Sequence, residues 1–217
     1  AGTPVLMYLG FRGATPPPAA SAAVQRAARP LPRIYWVYWA ALVLAVSIEF
    51  CMIFWSADYL ETSLGLRRVD AVRAVSLFLV GMIAGRLAGS RLVQHYPSRS
   101  LVLASTLVAA AGFVLFWITG SATLGLIGLT IAGLGVASLY PLILALALGA
   151  AGADTVQAGA RATLASGTAI LALPLVLGRL ADLVGIRPAY AVVAVLLTGV
   201  FAIIAATGRR VHAVQAA

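Results

Sequence analysis

Six long apolar runs alternate with short polar breaks along the chain, at about 34–57, 72–93, 101–119, 122–148, 161–182 and 188–207. Each is close to the roughly 20 residues a helix needs to cross the hydrocarbon core of a bilayer, whereas a membrane β-barrel would alternate apolar and polar positions in shorter segments. The pattern predicts an all-α membrane protein with six transmembrane helices. The loops are short, so successive helices run antiparallel in one bundle. Tyr35, Trp36, Tyr38 and Trp39 border one end of the first run and Trp55 and Tyr59 the other, as expected of aromatic belts at the membrane–water interface. Trp117 and Tyr190 mark further interfaces in the same reading.

The flanks differ from this pattern. Residues 1–33 carry no apolar periodicity and read as the end of a preceding segment followed by a Pro/Ala/Arg linker, with neither an initiator Met nor a signal-peptide pattern. Residues 34–207 form the membrane domain, and 208–217 a short tail.

Composition agrees with the run pattern: the chain is 62% hydrophobic and 10% charged, with a mean hydropathy of +1.03, far from ordinary soluble usage. The net charge is +9 and every cation is Arg. Spread between apolar runs, these cations orient helices and do not form a nucleic-acid surface. With the linker inside, ten Arg fall on the cytoplasmic side and five on the other. That count predicts a multi-pass plasma-membrane protein with both ends cytoplasmic.

Little catalytic or metal chemistry is available. Cys51 is the one cysteine, and His95 and His212 lie outside the apolar runs, so no disulfide, zinc site or intramembrane metal cluster is expected. Ser166 in LASGTA has no histidine in any span to activate it, which argues against an intramembrane serine enzyme. No cofactor is expected.

The string Gly-Arg-Leu-Ala occurs twice, at 85–88 and 178–181. The first copy ends the second run and the other ends the fifth, three spans apart. An odd number of spans reverses direction, so the copies predict two three-helix units of opposite topology, an inverted repeat. Gly81, Gly85 and Gly89 recur at four-residue spacing and favour close helix packing in lipid. Gly133 and Gly135 do the same in the fourth run, where Pro141 adds a kink. Pro174 sits inside the fifth run.

Glu49, within LVLAVSIEFCMIFW, is the most informative residue. A carboxylate at that depth needs a partner or a water-filled cavity. On a helical wheel it shares a face with Tyr38, Leu42, Ile53 and Ser56, opposite Asp58, and that face is expected to line a cavity. Glu49 then serves as proton acceptor or substrate ligand, with Tyr140 and Ser56 as hydroxyl partners; the alternative is a carboxylate that holds helices together. Arg161, at the start of the fifth run, reads as an interface anchor.

On these residues the chain resembles the major facilitator superfamily, specifically its C-terminal six-helix half. That family carries G-x-L-A-D-x-x-G-x-R loops. Gly178, Leu180, Ala181, Asp182, Gly185 and Arg187 match the form fully, and Gly85, Leu87, Ala88 and Arg91 match it in part, with Gly89 in place of the acid. The Gly-rich IAGLGVASLYPL (131–142) and SGTAILALPLVLG (166–178) are similar to the same family. The resemblance implies half of a secondary active transporter that moves a small molecule, with H+, by alternating access against a missing N-terminal six-helix half. A non-transporting scaffold or receptor on the same fold is the alternative. The resemblance also implies gating roles for Gly85, Arg86, Arg91, Gly178, Asp182, Gly185 and Arg187, with Asp182 and Arg187 forming an outer pair.

Overall fold

The computed structural model describes residues 30–215, with side chains to residue 208. Most of the expected 1–33 linker, and Arg209, Arg210 and His212 of the tail as side chains, lie outside the described residues. Eight α-helices make up the described chain: α1 (Arg33–Leu64), α2 (Arg68–Leu92), α3 (Ser98–Ile118), α4 (Ala122–Val136), α5 (Leu139–Ala151), α6 (Thr155–Val184), α7 (Ile186–Ala189) and α8 (Ala191–Gln215). A single 3-10 turn, Gly152–Asp154, separates α5 from α6. Five stretches are long and apolar enough to cross a membrane: 33–64, 68–92, 98–118, 122–184 and 186–208. The fourth stretch covers α4, α5 and α6, which the hydrophobic pattern divides into two runs.

Helix ends follow local chemistry. Gly65 closes α1 in the left-handed region at φ 72°, its N–H bonding to the Glu61 carbonyl at 3.2 Å. Gly185 closes α6 at φ 88° and bonds to the Ala181 carbonyl at 2.9 Å; most L residues pay a steric penalty there. Pro141 has no N–H to give the Ala137 carbonyl and its ring crowds that group. The helix accordingly breaks at Ala137–Ser138, between α4 and α5. The tail expected from residue 208 begins as a continuation of α8.

Helix α1 is central, buried at intervals from Tyr35 to Leu60 and packed against α2, α4, α5, α6, α7 and α8. Its register with α6 is set by three aromatic donors. Tyr35 Oη donates to the Ala158 carbonyl (2.8 Å), Trp39 Nε1 to that of Arg161 (3.1 Å) and Trp55 Nε1 to that of Pro174 (2.9 Å). Both sets of numbers rise together, so α1 and α6 are parallel. Helix α2 follows α1 through a three-residue turn and runs the other way. The two Gly-Arg-Leu-Ala copies, each near the C-terminal end of its helix, therefore lie at opposite ends of the bundle.

Glycine contacts join α2, α3 and α4. A Cβ on Gly81 or Gly85 would strike the backbone carbonyl of Thr130 or Leu134, and one on Gly133 would strike that of Phe78. Gly135 lies as closely against Ala109, and Gly112 against Ala132. Lipid offers no hydrophobic drive for association, so such close approach, with its dense dispersion contacts, is what holds helices together. Arginines fasten the ends of α3: Arg99 donates to the Ile204 and Ala205 carbonyls of α8 at 3.1 and 3.0 Å, and Arg187 to the Ile118 carbonyl at 3.1 Å.

Candidate functional site

Glu49 sits on the inward face of α1. Ala45, Ile48, Met52 and Ser56 on that face are essentially closed to solvent, yet Glu49 is only half-buried. Its carboxylate makes no hydrogen bond or ion pair among the described residues. The ion pairs found there join Arg67 to Asp70 at 2.7 Å, and Arg68 to Asp58 and Glu61, all at the α1–α2 turn. The carboxylate is thus left partly open to solvent beside closed neighbours. Glu49 lies fifteen residues before the end of α1 and Arg86 eighteen after the start of α2, so at about 1.5 Å per residue they differ in depth by roughly one helical turn.

The remaining sequence candidates separate. Tyr140 is half-buried against the core, beside the exposed Pro141, and its hydroxyl has no hydrogen-bond partner among the described residues. Ser56, by contrast, is fully buried with Oγ 3.4 Å from the Tyr190 hydroxyl. The face expected to line a cavity is divided: Leu42 and Ser56 are closed, and Tyr38, Glu49 and Ile53 keep exposure. Tyr190 is not an interface residue either. It is fully buried in an aromatic cluster with Tyr59, Phe113 and Phe116. Arg161, read as an interface anchor, places its guanidinium 5.3 Å from the centre of the Trp36 ring. Ser166 Oγ donates to the Ala162 carbonyl of its own helix at 3.0 Å.

The two motif copies are used differently. Gly85 receives the backbone of α4, whereas a Cβ on Gly178 would lie 2.6 Å from the Trp55 indole. Asp182 and Arg187 do not pair; Arg187 is held at the end of α3, where its carbonyl accepts from Trp117 Nε1 at 2.7 Å and its guanidinium donates to Ile118. Asp182 is exposed, as are Arg86 and Arg91. Pro174 is buried, and the Trp55 bond falls on its carbonyl. Sequence reasoning missed the Arg99 and Arg187 clamps, since both end on backbone carbonyls that every residue possesses. No cluster of His, Cys, Asp and Glu that could hold a metal is found among the described residues.

The arrangement resembles solved transporter structures. A crystal structure of FucP, a transporter of this superfamily, in its outward conformation superimposes with a TM-score of 0.73 and 22% identity over 85% of this chain and 44% of that one. The fold is that of about half of this transporter. A variant of the Escherichia coli fucose:proton symporter FucP superimposes with a TM-score of 0.71 and 21% identity, again over 85% and 44%. In sequence the chain is 30% identical over 173 residues to an uncharacterised major-facilitator-type transporter of Yersinia pestis, covering 77% of this chain and 44% of that protein. The chain therefore spans less than half the length of the major facilitator proteins it matches. No protein-family profile matches it.

Proposed function

We propose that the chain is one half of a secondary active transporter, moving a small molecule by alternating access against a second six-helix half and coupled to protons through Glu49. The observation that carries this reading is the Glu49 carboxylate, left open and unpaired on the inward face of the central helix. An acid held there can take up and release a proton as water reaches it from either side. Counting the broken α4–α5 as one span supports a reading of six spans in two three-helix units of opposite direction, the arrangement that would let halves rock about a shared site. The likeness to a fucose:proton symporter supports proton coupling. The excess of Arg on one side supports cytoplasmic ends, and the motif residues Gly85, Arg86 and Arg91 at one end, with Gly178, Asp182, Gly185 and Arg187 at the other, stand where gates would close.

The test uses proteoliposomes holding the chain together with a second half, an imposed pH gradient and a solute screen that begins with fucose. Solute addition is expected to dissipate the gradient, and Glu49→Gln to abolish that dissipation while leaving helix content and monodispersity intact. Undiminished proton movement in Glu49→Gln defeats the coupling role. Uptake by the 217-residue chain alone, as a monomer, defeats the half-transporter reading.

A further inference from the structure

Helices α3 and α8 run antiparallel. Arg99, near the start of α3, reaches the Ile204 and Ala205 carbonyls, whereas Phe113 and Phe116 near its end lie against Tyr190, just before α8 begins. Between these fastenings the two helices leave a groove of ≈ 230 Å³, walled by Ala110 and Phe113 on α3 and by Ala194 and Leu197 on α8. The groove makes no polar demand. Its two hydroxyl residues, Thr106 and Thr198, donate to the Val102 and Ala194 carbonyls of their own helices at 2.7 and 2.8 Å.

Two observations say what fits there. Close helix packing elsewhere in the chain uses glycine, yet Gly112 of α3 is already taken by α4 and Gly199 of α8 is turned to Leu44. At the groove the exposed side chains are Leu107, Val114 and Phe201, which keep another helix backbone at a distance and leave a slot for a thinner chain. The second observation is charge. Arg99 spends Nε and Nη2 on α8, and its Nη1 makes no hydrogen bond among the described residues. Arg209 and Arg210 follow Ala205 along α8 by about one turn. None of the six acidic residues of the chain lies on α3 or α8. Arg99 stands seven residues before Thr106, or about 10 Å along the helix, so the cationic end meets the groove as a phospholipid headgroup meets its chains.

We propose that the α3–α8 groove is a binding site for an anionic phospholipid, with one acyl chain lying in the groove and the headgroup drawn to the Arg99 end. Arginines near a membrane surface attract anionic lipid in general; the groove adds a fixed place for the chain, and that makes a site. The inference stands apart from proton coupling at Glu49, and its test does not involve transport.

The full 217-residue chain is placed in nanodiscs of phosphatidylcholine with increasing fractions of phosphatidylglycerol, and the Tm is followed. A saturable rise is expected with phosphatidylglycerol, and none when inorganic phosphate is added to phosphatidylcholine discs. Two variants separate charge from chain. Arg209→Gln with Arg210→Gln leaves the Arg99 clamp in place and should raise the lipid fraction needed for half the response by about fivefold or more. Thr198→Phe fills the groove from an exposed position, touches no charge, and should blunt the response. A wild-type response in either variant, an equal rise with inorganic phosphate, or no rise with phosphatidylglycerol overturns the proposal. So does a dimer in phosphatidylcholine discs that Thr198→Phe dissociates, since a second copy would then be what covers the groove.

Discussion

The two Gly-Arg-Leu-Ala copies have the same four letters and hold their helices by different means. At 85–88 the glycine is a site of backbone-to-backbone approach, with α4 seated so closely that a methyl group would strike the Leu134 carbonyl and the Ala137 side chain. At 178–181 the glycine makes room for the Trp55 ring, whose Nε1 is tied to the Pro174 carbonyl one turn earlier. A main chain cannot step aside without carrying its helix with it, whereas an indole can tilt. Identical sequence thus gives a rigid contact in one place and a compliant one in the other.

The largest test of that contrast is Gly85→Ala. Alanine is the better helix former by about 1 kcal/mol, so local propensity alone would stabilise α2. The contact with α4 should reverse the sign. The expected loss is about 1–3 kcal/mol or more, in the range of overpacked interiors, with a lower Tm in detergent and weakened α2–α4 protection in hydrogen exchange. An unchanged or higher Tm would show that α2 and α4 can separate freely at this point.

Gly178→Ala should cost less. The added methyl displaces an aromatic side chain, and the main casualty is the Trp55–Pro174 hydrogen bond, worth about 1 kcal/mol. Trp55→Phe lacks the donor already, so adding Gly178→Ala to it should cost less than the same change in wild type. Tryptophan fluorescence of the single variant should report the tilt. Equal Tm losses in Gly85→Ala and Gly178→Ala would erase the distinction between the copies.

How far these features were legible in the sequence follows the same physics. The apolar runs located the helices because a membrane helix must be largely apolar, and Pro141 announced a kink in the fourth run, though not that the run would divide into two helices at Ala137–Ser138. The glycine stripe at 81, 85 and 89 announced close packing. What was hidden involves partners without a sequence signature. Arg187 points to a backbone carbonyl 69 residues away, and Ser56 turns to Tyr190, 134 residues away. On a helical wheel Ser56 and Glu49 look equivalent, since the wheel gives direction and not what stands opposite. The open position of Glu49 came from its neighbours, not from its own spacing.

Asp182 gives the smallest expected effect and the sharpest check on reasoning by motif. The motif implies that the acid in G-x-L-A-D is the important letter and that it pairs with Arg187. Here its side chain is exposed and makes no ion pair among the described residues, while Arg187 is occupied at the end of α3. The closure of α6 rests on Gly185, whose N–H reaches the Ala181 carbonyl whatever stands at 182. Asp182→Ala should therefore change stability by no more than about 0.5 kcal/mol, as for other surface positions without partners, whereas Arg187→Ala should loosen the α3 end measurably. Thermal unfolding of the two variants side by side decides it: a loss in Asp182→Ala matching that in Arg187→Ala would mean the acid and the arginine act as one unit after all.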